Sequence, residues 1–303
     1  MDVAVTRIEL PRPVRAAASD GSTVWCAADD GVRVYTPSGR PLEGGTLLSR
    51  EPPALRSLAA VPGTVPATGA VPGTLAETVV VPRSFAGSPG QTMHRDGPLA
   101  GGTLAGAAHD RVHWLDASGG PVAAAPFEGR VVAGGGAIWA VGDGVARRLT
   151  GPGELGEPLE LPALDACAVE GERLWWTSER DDVLRGGPQE VDLGRRRRGA
   201  MTVCAGSLWI SVTGGLLRVS AWSGEPGRLV RAPEGPVPFL VCANGVLAGG
   251  GRDLFVLAPA AGAALRVVRL GLDAPPALMI AAGRHVWVFP EGPPGALIVT
   301  PAP

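Results

Sequence analysis

The chain of 303 residues contains no lysine, a single asparagine, one tyrosine, 4 cysteines and 4 histidines. All its basic side chains are arginines, which together with abundant Ala, Gly and Pro reads as codon bias rather than chemistry. The 4 cysteines are few and lie far apart, so a disulfide framework is not expected. Four histidines are few for a metal or acid–base enzyme. No run approaches the roughly 18 uninterrupted apolar residues of a membrane span, and the N-terminus, MDVAVTRIELPRP, shows no apolar core or cleavage pattern of a signal peptide. A cytoplasmic protein is expected. A formal net charge of −2 excludes the broad basic surface of a general nucleic-acid binder.

Glycine (45) and proline (30) are plentiful, and they fall between short apolar runs as turn punctuation. The runs repeat. GSLWISVTGGLLRVSAWSGEP (206–226), GAIWAVGDGVARRLT (136–150) and GERLWWTSERDDVLR (171–185) share one design. An apolar run carrying Trp209, Trp139 or Trp175 is followed by a polar or glycine turn, then by a second apolar run with an arginine. Weaker copies surround Trp25, Leu247 and Trp287. Between them lie runs such as ALRVVRLG (264–271) and PALMIAAG (276–283). Four short strands in roughly 40 residues is the size of a propeller blade. With the strands of a blade lettered A to D from the channel outward, A strands are expected near Val14, Leu55, Arg130, Leu164, Met201, Phe239 and Leu278. The fold class expected is all-β, a seven-bladed β-propeller of four-stranded blades occupying residues 1–303 as one domain. The last copy lacks a D strand, and residues 3–10, VAVTRIEL, match the missing one, so the N-terminal strand should close the ring.

Blade two is longer than the rest, with an irregular insertion within residues 62–107. Taking residues 79–82 as its B strand and 110–116 as its C strand makes residues 83–107 a long B-to-C loop. Such a loop lies on the same face as the D-to-A loops, here termed the top face, and is expected to be either a lid or a mobile, proline-rich decoration.

The phrase LRVVRLGLDAPPALMIAAGRHVWVF (265–289) resembles the repeat of the streptogramin-lyase-like, YVTN and NHL propellers. The resemblance implies the propeller fold, and it implies lyases, sensors or plain scaffolds as functions. The WTSE at 176–179 is similar to the WFTE phrase of streptogramin lyases, which use a histidine and acid-held magnesium. No histidine follows it nearby.

Cys167, Cys204 and Cys242 occur in A strands of successive blades, and at a sheet spacing of about 10 Å they read as buried small hydrophobes rather than metal ligands. The GxGxxG at 151–156 precedes EPLELP, which cannot open a helix, and no nucleotide or metalloprotease motif is present. The run 195–198, RRRR, reads as a solvated rim loop. Arg15, Arg56 and Arg130 stand at the starts of inner strands, where apolar residues would pack better, and are the expected ligand-binding residues. Asp165, Glu179 and the loop residue His94 are the expected catalytic residues. The function expected is a small-molecule-binding propeller, a redox-neutral lyase, isomerase or cyclase of specialised metabolism without metal or cofactor. Arginines would hold an anionic substrate at the top of the channel while a carboxylate moves a proton. The alternative is a non-catalytic propeller that binds a protein or glycan.

Overall fold

Two-residue turns with left-handed backbone set the chain into antiparallel hairpins. Ala205 and Gly206 have φ of 49° and 69°, and Asn244 and Gly245 have 48° and 76°. Positive φ at both positions matches the natural twist of paired strands, which is why the tight A-to-B connections recur as glycine-containing pairs. The computed structural model describes residues 3–47, 55–61, 103–108, 110–115, 121–194, 196–232, 236–259, 265–292 and 294–301.

Its strands form seven four-stranded antiparallel sheets. Blade one comprises Ala16–Ser19, Val24–Ala28, Gly31–Tyr35 and Pro41–Leu47. Blade three runs from Arg130–Gly134 to Glu154–Leu161, and blade four from Leu164–Glu170 to Val191–Asp192. Blade five runs from Arg198–Cys204 to Pro226–Val230, and blade six from Phe239–Ala243 to Arg266–Arg269. Blade seven takes Leu278–Ala282, His285–Phe289 and Gly295–Pro301 from the C-terminal end and Val3–Glu9 from the other. Val3 lies opposite Pro301 and Glu9 opposite Gly295, so the N-terminal strand closes the ring as its sequence pattern predicts.

The B-strand tryptophans Trp25, Trp139, Trp175, Trp209 and Trp287 pack blades one, three, four, five and seven, respectively, against the next blade. Trp25, Trp175 and Trp287 are almost fully buried. Trp287 joins Phe289 and Ile298 of blade seven to Val24 and Tyr35 of blade one, and its Nε1 donates to the Pro37 carbonyl at 2.8 Å. Trp209 of blade five sits likewise among Leu240, Leu247, Phe255 and Leu257 of blade six.

Blade two departs from expectation. It consists of Ser57–Val61, Thr103–Ala108, Arg111–Leu115 and Pro121–Pro126. The expected B strand, residues 79–82, lies outside the described residues, and Thr103–Ala108 occupies that place with Ser57 opposite Ala107. The long insertion therefore joins A to B, a connection on the face opposite the top, and not B to C. Packing explains the choice: Leu104, Ala105 and Ala107 are buried, and a Cβ on Gly106 would come within 2.8 Å of Leu55 Cδ2. A run of small residues that reads as loop fits where inner strands crowd together.

The cysteines also depart from expectation. Cys204 and Cys242 form a disulfide between blades five and six, with Cα atoms 5.3 Å apart. Cys204 directly precedes its A-to-B turn, whereas Ala243 separates Cys242 from its own. One residue of offset sends side chains to opposite faces of a sheet, so the two sulfurs face each other. The 10 Å spacing of stacked sheets does not hold for A strands converging on the channel. Cys26 and Cys167 are free, and burial pushes both thiols up in pKa.

Candidate functional site

A strands run downward from the top face, and the B-to-C turns rise to meet their beginnings. Charged residues at strand starts therefore stand beside acidic turn residues. Arg15, just before Ala16–Ser19, donates its backbone N–H to Ala27 O at 2.9 Å and pairs through its guanidinium with Asp29 in the B-to-C turn of its own blade. Arg56 is exposed ahead of Ser57–Val61, with its N–H bonded to Ala107 O at 2.8 Å. Arg130 opens its strand, and its Nη2 lies 3.8 Å from Cys167 Sγ of blade four.

Asp165 is drawn elsewhere. Its Oδ2 accepts from Arg198 Nε at 3.1 Å, and it makes no ion pair with Arg15, Arg56 or Arg130. Glu179 is exposed, its N–H bonded to Ala163 O at 2.8 Å. His94 lies outside the described residues.

Arg198 is the residue that sequence reasoning missed at the mouth. As the last member of the RRRR run it reads as rim, yet it opens the blade-five A strand and its side chain is only 8% exposed. Nη1 donates to Asp181 O at 2.6 Å and Nη2 to Ser178 O at 2.8 Å. Asp182 adds a second carboxylate at 3.6 Å. A guanidinium can leave water at tolerable cost only when its donors are met in this way. Arg198 thus ties the top of blade five to the B-to-C turn of blade four.

The C-strand arginines of the repeat serve similar ends. Arg33 grips Asp30 through two hydrogen bonds of 2.8 and 2.6 Å, and these bonds hold the Asp30 carboxyl below the usual carboxylate range. Arg185 holds Asp181 likewise at 3.0 and 2.9 Å and lies over the Trp176 ring. The Asp181 carboxyl is lowered chiefly by its hydrogen bonds from Arg185. Both shifts favour the charged form, the reverse of what a general acid needs. Among the described residues, no group of His, Cys, Asp and Glu is arranged to hold a metal ion.

An open groove of about 830 Å³ lies away from the mouth, between the two outer strands of blade five and the end of the third strand of blade six. Arg218, Arg228 and Arg231 line it, with Leu229, Val230 and Leu257. The turn joining two further lining residues, Ser220 and Glu225, carries Trp222, whose ring is 90% exposed.

No protein-family model matches the chain, and no curated protein does. Solved structures do. The β-propeller domain of Cps50 (Swd1) from Myceliophteria thermophila superposes with a TM-score of 0.63 at 9% identity, over 98% of each chain. The WD40 β-propeller domain of Doa1 gives 0.60 at 13%, over 99% of this chain and 96% of that one. Hsv2 of Kluyveromyces lactis gives 0.52 at 10%, over 81% and 73%. None of the three bears a streptogramin-lyase, YVTN or NHL description. At such identities the likeness establishes the fold, a β-propeller, and nothing narrower.

Proposed function

We propose that the chain is a non-catalytic interaction propeller that binds a protein partner. The observation that carries this is the fate of the acidic and basic groups at the channel mouth. Asp165, the best-placed proton carrier in the sequence, is taken up by a nearly buried arginine that also closes the seam between two blades. A lyase or cyclase would need that carboxylate to gain and lose a proton beside its substrate. Held against Arg198, its charge is balanced by the fold. Arg15 is paired with Asp29 of its own blade, both side chains exposed.

Cross-linking of the purified chain with host extract, followed by mapping of the linked residues, tests this function. One protein should link to a contiguous patch of the propeller and be displaced by excess unlabelled chain. Turnover of a host metabolite that disappears in Asp165→Asn would refute it and restore the enzyme.

A further inference from the structure

The groove between blades five and six differs in charge balance from the mouth. Its side chains are not spent on one another. Among the described residues, Arg228 and Arg231 make no side-chain hydrogen bond or ion pair, and Arg218 uses only Nε, which donates to Ser207 Oγ at 2.9 Å. Against these three guanidinium groups stands, among the described lining residues, one carboxylate, Glu225, whose Oε2 accepts a bond of 3.4 Å from Ser223 Oγ. One wall is Pro226–Val230, the outermost strand of its sheet, so its outward edge has no partner strand. Five residues present about 17 Å of strand edge. Half-buried Val230 supplies apolar surface on the blade-six side, while Leu229 packs on the opposite face of the sheet, and Trp222 stands exposed at the adjoining turn.

Unpaired backbone groups along a strand, apolar surface for alternate side chains and an excess of positive charge together describe a receptor for an extended acidic segment. The geometry points to this groove as the docking site for an acidic, extended peptide segment of a partner protein, added as a fifth strand to blade five. The inference rests on the interaction function proposed above and names the surface and the chemistry of the partner. The outer edge of blade three is less suited to it. That edge, Glu154–Leu161, exposes Glu154, Glu157 and Glu160 and would repel the same segment.

The test uses the full chain and a fluorescent peptide of alternating glutamate and valine. Binding should weaken with salt, and the double variant Arg228→Glu with Arg231→Glu should lower affinity by about tenfold, since two exposed charges are reversed. The melting temperature should not change, because neither arginine ties the fold together. Trp222→Phe should reduce the change in the protein's own tryptophan emission that peptide binding produces. A peptide methylated on alternate backbone nitrogens keeps its charge but loses edge hydrogen bonds, and it should fail to bind. Equal binding of a lysine–valine peptide, indifference to the double variant, or full binding of the methylated peptide would overturn the inference. So would binding of phosphatidylserine vesicles in place of the peptide. If the host partner links to another face and ignores the double variant, the groove is wrong while the interaction function stands.

Discussion

Removing the Cys204–Cys242 disulfide should lower stability by an amount that follows from chain connectivity. The bond joins residues 38 apart in sequence. Closing a loop of that length restricts the unfolded chain by about 3.9 kcal/mol at 25 °C. For 303 residues, unfolding entropy is about 0.64 kcal/mol/K, so the expected drop in melting temperature is about 6 °C. The folded state should change little, because both sulfurs remain packed at the seam between blades five and six. Thiol titration of denatured, unreduced protein should find the two free cysteines, Cys26 and Cys167, and after reduction all 4. Thermal unfolding with and without reductant then gives the shift. The variant carrying Cys204→Ala and Cys242→Ala should melt like reduced wild type and ignore reductant. Four thiols before reduction, or melting temperatures within about 1 °C of each other, would refute the reasoning.

Deleting residues 1–10 should strip blade seven of its outer strand and leave the edge of Gly295–Pro301 open, with aggregation or a loss of several kcal/mol read by denaturant titration; unchanged unfolding would contradict ring closure. Burial and the neighbouring Arg284 lower the pKa of His285, whose Nδ1 lies 2.8 Å from Thr300 Oγ1. Burial, then Arg111, lowers that of His113 against a smaller opposing effect of Asp110. The unfolded chain therefore takes up protons first, and unfolding free energy should fall as pH drops below about 6.5 towards the folded-state values. His285→Gln should make that slope shallower, and an unaltered slope would show that this histidine titrates alike in both states.

Much of the fold was legible because a propeller is built from local signals. Period-two apolar runs, turn pairs such as Asn244–Gly245 and recurring tryptophans act within one hairpin, so reading neighbours suffices. Closure was legible for the same reason, since Val3–Glu9 carries the pattern of an outer strand wherever it stands in the chain. What the sequence could not decide depends on which distant groups share a crowded space. Thr103–Ala108 reads as loop until the narrow inner seam of the ring selects small side chains. Cys204 and Cys242 look like isolated hydrophobes until converging A strands bring their Cα atoms within 5.3 Å. Arg198 reads as rim charge, and only the packing of blade five on blade four turns it inward to Asp165. Seven other tryptophans sit within strands, while Trp222 stands in a turn, and only the solvent around that turn distinguishes it. Local pattern determined the blades, and the contacts between blades decided which charged groups were consumed by the fold and which were left exposed to solvent.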